Sequence, residues 1–278
     1  MPRPTFLDLH PVFNGSSGFC CANEEPAMWR WLLTKRTFQT AGSIASSGDV
    51  LLGALLSRSE KLYAVDHNYT SLAFAGMKAV LLDKLGARGF LASILEGSQQ
   101  SIINLFMGTK AELPTFLQGR VDRSQFPSSM NELRRVWSGA RIGELDIARR
   151  RLGALTFIHG DLSDLRQFGQ MDCLYVSNAV DSSHNDRHNK IPTTDQMGPL
   201  VHRDGLLLVA RHVGTPVNPD TSYWAHLKQV EPTDQLGGCR WAYHVHVKKP
   251  AHEMEVRTSL QVGMSTIYAT PAKVSSAR

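Results

Sequence analysis

Residues 42–82 read GSIASSGDVLLGALLSRSEKLYAVDHNYTSLAFAGMKAVLL, and this stretch decides the fold. It combines two periodicities. The apolar runs at 42–45 and 61–65 predict strands, while 50–56 and 71–85 carry apolar residues at helical spacing. Two consecutive strand–helix units imply parallel strands that are covered by helices. The stretch therefore predicts an α/β fold.

Length and composition agree with a globular chain. The 278 residues suit one large domain, and a hydrophobic content of 42% is enough for a packed core. No apolar run approaches the ~20 residues of a membrane span, and the N-terminal residues lack the apolar centre of a signal peptide. We therefore expect a cytoplasmic protein with at most peripheral membrane contact. The net charge of +5 is modest and spread out, so we expect no nucleic acid as a partner.

The alternation of strand and helix patterns is interrupted between residues 90 and 150, where short helical patterns occur without a strand signal. We predict a helical insertion there, of the kind that shapes an acceptor pocket or forms a lid. The chain divides into an N-terminal arm and helix at 1–40 and an α/β domain at 41–278 that contains the insertion. The other predicted elements are strands at 154–158, 171–176, 205–210 and 239–249, a further strand segment at 255–270, and helices at 194–201 and 218–229.

Polar residues follow the predicted strands, at the edge of the sheet where open α/β proteins bind their ligands. After the first strand, the turn formed by Ser46, Ser47 and Gly48 would let a ligand approach backbone N–H groups at a helix N-terminus. The chain contains neither GxGxxG nor GxxxxGK[ST], which argues against a dinucleotide and against an NTPase. The turn therefore favours a nucleoside without a pyrophosphate.

Acidic residues follow the next two strands of the pattern. Asp66, followed by His67 and Asn68, would accept hydrogen bonds from two ribose hydroxyls. Asp161, followed by Leu162, would accept one from the adenine amine. Each acid also fits a helix cap, so both interpretations stay open for either residue alone. Together the three strand ends predict a class I S-adenosylmethionine-dependent methyltransferase-like (Rossmann-like) sheet with helices on both faces, and S-adenosyl-L-methionine as cofactor.

Four segments resemble a more specific family, the 3-amino-3-carboxypropyl transferases that make the homoserine moiety of betaine lipids. Asp66 and Asn68 match the AVD-x-N motif of that family, and Lys78 matches its helical lysine. The similar segments are CANEEP at 21–26, IASSGDVLLGALL at 44–56, AVDHNYTSLAFAGMKAVLL at 64–82 and YVSNAVD at 175–181.

The resemblance implies how the methionine end of the cofactor would be held. Glu24 or Glu25 would bind its ammonium group, and Ser46 or Ser47 its carboxylate. The sulfonium charge activates three carbons, and the carbon that the enzyme holds in line with the nucleophile is the one attacked. In this family that carbon is the methionine γ-carbon. The implied function is transfer of the 3-amino-3-carboxypropyl group to a nucleophilic acceptor, with release of methylthioadenosine.

The resemblance also implies an acceptor side. Ser177 and Asn178 would complete the cofactor site where a small-molecule or lipid acceptor approaches. The candidate general bases are Asp181 and His212. Their structural alternatives are a loop cap for Asp181 and a hydrogen-bonded strand-end histidine for His212. No metal site is predicted, and the sequence does not indicate an oligomeric state.

Three other functions stay open from the residues. A small-molecule methyltransferase would use the same cofactor and leave S-adenosylhomocysteine. Intramolecular attack by the cofactor's own amine would give azetidine-2-carboxylate and need no acceptor. A non-catalytic S-adenosylmethionine-binding module would lack a buried base. The identity of the nucleoside product separates the methyltransferase from aminocarboxypropyl transfer. The cyclisation also releases methylthioadenosine, and it is recognised because it needs no acceptor.

Overall fold

The computed structural model describes residues 3–11, 37–57, 59–127, 130–176, 194–212, 224–230, 241–248, 259–262 and 265–268. The chain divides into two compact units, a first unit at Met1–Phe168 and a second unit at Gly169–Arg278. The first unit contains the stretch that decides the fold, together with the helical segment that follows it.

Four parallel strands form the sheet of the first unit. They are β1 (Thr5–Asp8), β2 (Thr40–Ile44), β3 (Lys61–Asp66) and β4 (Leu155–His159), in the spatial order β1-β4-β3-β2. The predictions for β2, β3 and β4 are confirmed. Strand β1 was not predicted, because its four residues lie in a segment whose prolines and glycines indicated an irregular arm.

Six α-helices accompany this sheet in the described part of the first unit. The first lies close to the predicted stretch at 50–56, and the last four lie in the region at 90–150 that was predicted to be helical. In the part of the chain that the structure describes, no helix is both long enough and apolar enough to cross a membrane. The helices are α1 (Asp49–Ala54), α2 (Tyr69–Leu95), α3 (Gln99–Thr109), α4 (Thr115–Gln118), α5 (Asn131–Ser138) and α6 (Ile142–Arg150). Short 3₁₀ helices lie at Leu55–Ser57, Lys110–Glu112, Arg123–Gln125, Leu152–Ala154 and Leu162–Phe168.

Helix α2 corrects two predictions. We expected it to end at the glycines after residue 85, but it continues to Leu95 beyond a non-helical residue, Gly86 (φ 67, ψ 172). Glycine adopts this backbone conformation without steric cost, so the chain kinks there and resumes the helix. From residue type alone, Thr70 or Ser71 would be the N-cap, since Ser and Thr are favoured there. The N-cap is instead Asn68, whose side chain accepts hydrogen bonds from the backbone N–H groups of Thr70 and Ser71.

The helices at 99–150 pack on α2, as aromatic contacts show. Phe74 of α2 lies edge-on to Phe106 and Phe126, with ring centroids 6.4 and 5.1 Å away. Phe90 of α2 lies edge-on to Trp137 of α5 at 5.1 Å. All five of these side chains are buried. Helices therefore occupy the region that was predicted to be helical, and aromatic side chains from this region complete the core around α2.

The second unit contains a mixed sheet. Strand β5 (Met171–Tyr175) runs parallel to β6 (Val201–His212), and β6 is antiparallel to β8 (Trp241–Lys248), which pairs antiparallel with β7 (Trp224–Val230). The predicted helix at 194–201 is a 3₁₀ helix, Thr194–Leu200. The hairpin of β9 (Ser259–Val262) and β10 (Ser265–Tyr268) forms a separate sheet.

The predicted helix at 218–229 is wrong where the structure describes it. Strand β7 occupies Trp224–Val230 and pairs with β8 through a register shift between His226 and Lys228. Ala, Leu, Lys and Gln favour a helix locally, but pairing along an existing strand overrides such weak propensities. The predicted fold class is confirmed. The chain is α/β, with a Rossmann-like arrangement of parallel strands in the first unit and antiparallel strand pairs in the second unit.

Candidate nucleoside site

The turn between β2 and α1 is pressed against helix α2. The Ala45 N–H donates to the Val65 carbonyl at 2.8 Å, and the Gly48 N–H donates to the Ala45 carbonyl at 2.9 Å. Ser46 and Gly48 both have positive φ, 45° and 88°. A Cβ atom on Gly48 would lie 2.6 Å from Cα of Ala75, which is a backbone atom and cannot move aside. Only glycine therefore fits this position.

The substitution Gly48→Ala tests how closely this turn is packed. We expect a loss of roughly 2 kcal/mol or more in the free energy of unfolding, because left-handed strain and a backbone clash act together. Denaturant titration measures it. The matched control is Gly108→Ala within α3, where an added Cβ meets nothing within 4 Å. That change should stabilise the protein by roughly 0.5–1 kcal/mol. Equal effects of the two substitutions would contradict the close approach of the turn to α2.

Asp66, at the end of β3, joins the two loops of the site. Its Oδ2 atom accepts a hydrogen bond from the Ser46 N–H, and its Oδ1 atom accepts one from the Asn68 N–H, both at 2.9 Å. The residue is 8% exposed. Burial raises the pKa of Asp66 above its usual 3.8, and the Asn68 N–H only partly offsets this effect. Each carboxylate oxygen keeps a second lone pair, so two ribose hydroxyls could still be accepted.

The raised pKa of Asp66 predicts a pH dependence of stability. Between 3.8 and the raised value, the folded protein binds more protons than the unfolded chain, so its stability falls as the pH rises through this interval. The free energy of unfolding should be measured against pH for the wild type and for Asp66→Asn, which does not titrate there. The free energy of unfolding of the wild type minus that of Asp66→Asn should fall with rising pH and level off above the raised pKa of Asp66. A difference that rises with pH would contradict the sign of the shift.

The two residues after Asp66 have structural roles. Asn68 is 8% exposed and its side chain caps α2. His67 is exposed, and its carbonyl oxygen lies 3.1 Å from Nε2 of His159. The capping role explains the residue type at Asn68 without a ligand. A cofactor contact of either residue stays a prediction.

A buried histidine at the end of β4 was missed by the sequence analysis. His159 is fully buried, and its Nδ1 atom lies 2.8 Å from Oδ1 of Asp8. The Tyr69 ring stacks on the imidazole at 3.5 Å and donates its hydroxyl to Asp8 at 3.2 Å. The His67 carbonyl can only accept, so Nε2 of His159 carries a proton. The cluster ties β1, β4 and the start of α2 together at the carboxyl edge. The sequence holds no local signal for it, because Asp8 and His159 lie 151 residues apart in the chain.

Asp161 and Leu162 lie just beyond β4. Asp161 is exposed, and its backbone N–H donates to Oδ2 of Asp164 at 2.6 Å. The carboxylate that accepts a backbone hydrogen bond at the start of the 3₁₀ helix is therefore that of Asp164, and not that of Asp161. Leu162 is buried. The Gly160 N–H donates to the Asp66 carbonyl at 3.0 Å, which places the end of β4 beside Asp66. The adenine contact of Asp161 stays a prediction.

A buried ion pair supports the turn at 45–48 from the side of the core. Lys78 and Asp49 are fully buried, with Nζ of Lys78 2.7 Å from Oδ2 of Asp49. The same ammonium donates to the Ser47 carbonyl at 2.9 Å, and the Ser47 hydroxyl donates to Asp49 at 2.7 Å. Trp137 donates its indole N–H to Oδ1 of Asp49 at 2.9 Å. The Ser47 hydroxyl thus points into the core, so a ligand would meet this residue through its backbone.

The remaining predicted site residues belong to parts of the chain without described side chains. His212 is the last residue of β6 in the second unit. Their proposed roles stay predictions. Those outside the described residues are Glu24, Glu25, Ser177, Asn178 and Asp181, and most of the helix predicted within 1–40 also lies outside them.

Comparison with known proteins supports no family assignment. No family model matches the sequence, and a search of the curated proteins finds no match. Among solved structures, the rRNA methyltransferase AviRa from Streptomyces viridochromogenes is 17% identical (TM-score 0.43, 86% of this chain and 89% of that one). The N-methyltransferase NodS from Bradyrhizobium japonicum is 10% identical (TM-score 0.41, 81% and 94%). An rRNA methylase from Streptococcus thermophilus is 8% identical (TM-score 0.35, 83% and 100%).

These comparisons correct one prediction. We expected no nucleic acid as a partner, but two of the three similar structures are rRNA methylating enzymes. The exclusion of nucleic acid is therefore wrong. It rested on a modest net charge of +5, and net charge describes non-specific attraction rather than the shape of an acceptor site. At these identities and TM-scores the likeness assigns no substrate to this chain.

Proposed function

We propose that the carboxyl edge of the first unit binds the nucleoside of S-adenosylmethionine, and that the chain is an S-adenosylmethionine-dependent transferase. The observation that carries the proposal is the buried carboxylate of Asp66, which the Ser46 and Asn68 N–H groups hold between two strand-end loops. Burial of a carboxyl group costs free energy, and buried acids with a perturbed pKa occur preferentially at functional sites. Two vicinal ribose hydroxyls are suitable donors to its two oxygens.

We take methyl transfer as the first candidate, because the structure weakens the resemblance on which aminocarboxypropyl transfer rests. The resemblance to the aminocarboxypropyl transferases rests in part on Asn68 and Lys78. Asn68 caps α2 and Lys78 pairs with Asp49 in the core. These roles explain both residue types without reference to the carbon attacked. Ser47, one of the two predicted carboxylate ligands, turns its hydroxyl into the core.

In the proposed reaction a nucleophile attacks the methyl carbon of the sulfonium. The carbon–sulfur bond breaks, its electron pair stays on sulfur, and S-adenosylhomocysteine leaves. The nucleophile loses its proton to a base or to solvent. Aminocarboxypropyl transfer is the second candidate, supported by the AVD-x-N match at 64–68. It differs only in the carbon attacked and leaves methylthioadenosine.

Product analysis distinguishes the candidates. The purified protein is incubated with S-adenosylmethionine alone and with separate pools of small molecules, lipids and ribosomal RNA, and the nucleoside product is identified by mass spectrometry. We expect S-adenosylhomocysteine in one acceptor pool. Methylthioadenosine with an acceptor would establish the second candidate. Methylthioadenosine above the level without protein, formed with no acceptor, would indicate intramolecular cyclisation. Absence of S-adenosylmethionine binding by calorimetry would overturn the proposal.

A further inference from the structure

Helix α5 contacts the support of the turn through the side chain of Trp137. Trp137 is 2% exposed, and its indole N–H donates to Oδ1 of Asp49 at 2.9 Å. Asp49 is the first residue of α1 and directly follows Gly48 of the turn. The Trp137 ring also makes an apolar contact, since Phe90 packs edge-on against it at 5.1 Å. The indole therefore has two separable roles, one in packing and one as a hydrogen-bond donor.

Asp49 receives donors from three directions. Its Oδ2 atom accepts from the Ser47 hydroxyl and from the Lys78 ammonium, each at 2.7 Å, and its Oδ1 atom accepts from Trp137. Lys78 also donates to the Ser47 carbonyl. The Ser47 hydroxyl is thus held by Asp49 itself. The Ser47 carbonyl is held by Lys78, whose ammonium group pairs with Asp49. In a buried site such hydrogen bonds are strong, and a missing partner is costly.

We propose that Trp137 is a positioning residue for the turn at 45–48. Its indole N–H orients the Asp49 carboxylate, and this carboxylate holds the turn in the conformation that receives the ligand. The inference rests on the proposed function for its ligand. It also gives one part of the predicted insertion a definite role, because α5 then supports the floor of the nucleoside site, whereas the sequence pattern indicated an acceptor pocket or a lid.

The test compares two substitutions at one aromatic contact. Trp137→Phe keeps an aromatic ring against Phe90 but removes the N–H donor. Phe90→Leu weakens the same packing and leaves the donor in place. Hydrogen exchange of the backbone amides at 46–48 is measured in the ligand-free protein, and the dissociation constant of S-adenosylmethionine is measured by calorimetry.

We expect Trp137→Phe to accelerate exchange at 46–48 by roughly tenfold and to weaken S-adenosylmethionine binding by a similar factor. Phe90→Leu should lower the melting temperature while changing both quantities by less than about twofold. Unchanged exchange in Trp137→Phe overturns the proposal. Equal acceleration in both variants also overturns it, because general loosening would then be the cause.

Two further outcomes keep the inference separate from the proposed function. If the wild type does not bind S-adenosylmethionine but Trp137→Phe still accelerates exchange at the turn, the positioning role stands and the proposed function fails. If Trp137→Phe does not fold, the proposal is tested on the wild type instead, by following the NMR resonance of the Trp137 indole N–H. A shift of that resonance on saturation with S-adenosylmethionine supports the coupling, and an unchanged resonance overturns it.

Discussion

Replacing Lys78 by methionine is expected to lower the free energy of unfolding by about 3–5 kcal/mol. Methionine occupies nearly the volume of the lysine stem, so packing changes little. The loss comes from Asp49, which is fully buried and would lose its cationic partner. The Ser47 carbonyl would also lose a donor. Urea titration followed by circular dichroism measures the change.

Two further variants show whether the pair itself is responsible. Lys84→Met on the same helix removes a lysine whose side chain is 47% exposed and pairs with Glu112, so we expect a loss of about 1 kcal/mol or less. The double variant Asp49→Asn with Lys78→Met removes both charges and should be more stable than Lys78→Met alone. If Lys78→Met costs no more than Lys84→Met, the buried pair does not support the fold as described.

Replacing Asp66 by alanine is expected to weaken S-adenosylmethionine binding by about 100-fold or more. The expected factor follows from two lost charge-assisted hydrogen bonds of about 1.5–3 kcal/mol each. The same change leaves the Ser46 and Asn68 N–H groups without their acceptor, so stability should also fall by about 1–3 kcal/mol. Calorimetric titration measures the binding at a temperature where circular dichroism shows the variant to be folded.

The matched control for Asp66→Ala is Asp146→Asn, which removes a carboxylate from α6. It should bind S-adenosylmethionine as the wild type does. A dissociation constant for Asp66→Ala within about threefold of the wild-type value would contradict the ribose assignment, because about 1.4 kcal/mol corresponds to tenfold in affinity. Loss of binding in both variants would indicate a non-specific effect of net charge.

Much of the first unit could be predicted from local pattern. The strands at 42–45 and 61–65 are short apolar runs that end in turn residues, and such runs specify strands by themselves. The acid at Asp66 could be placed at the carboxyl edge for the same reason. The insertion was predicted from a long region with helical spacing and no strand signal. In each case the determining interaction lies within a few residues along the chain.

Elements that depend on distant partners could not be predicted. Strand β1 is four residues long and exists because β4 provides a parallel edge. Strand β7 has a helix-favouring composition and is a strand because β8 pairs with it. His159 contacts Asp8, 151 residues away in the chain, so no local spacing could indicate the cluster. Trp137 and Asp49 are 88 residues apart, so their hydrogen bond could not be predicted from local spacing either.

The sequence by itself determined the α/β class, the position of Asp66 at a strand end and the presence of a helical segment, because hydrophobic periodicity and turn residues act locally. Only the tertiary structure decided what several polar residues of the first unit do. Asn68, Lys78 and Ser47 match a ligand-binding pattern in the sequence. Once the chain is folded, burial requires each of their polar groups to have a partner, and the nearest partners are the helix α2 N-terminus and the carboxylate of Asp49.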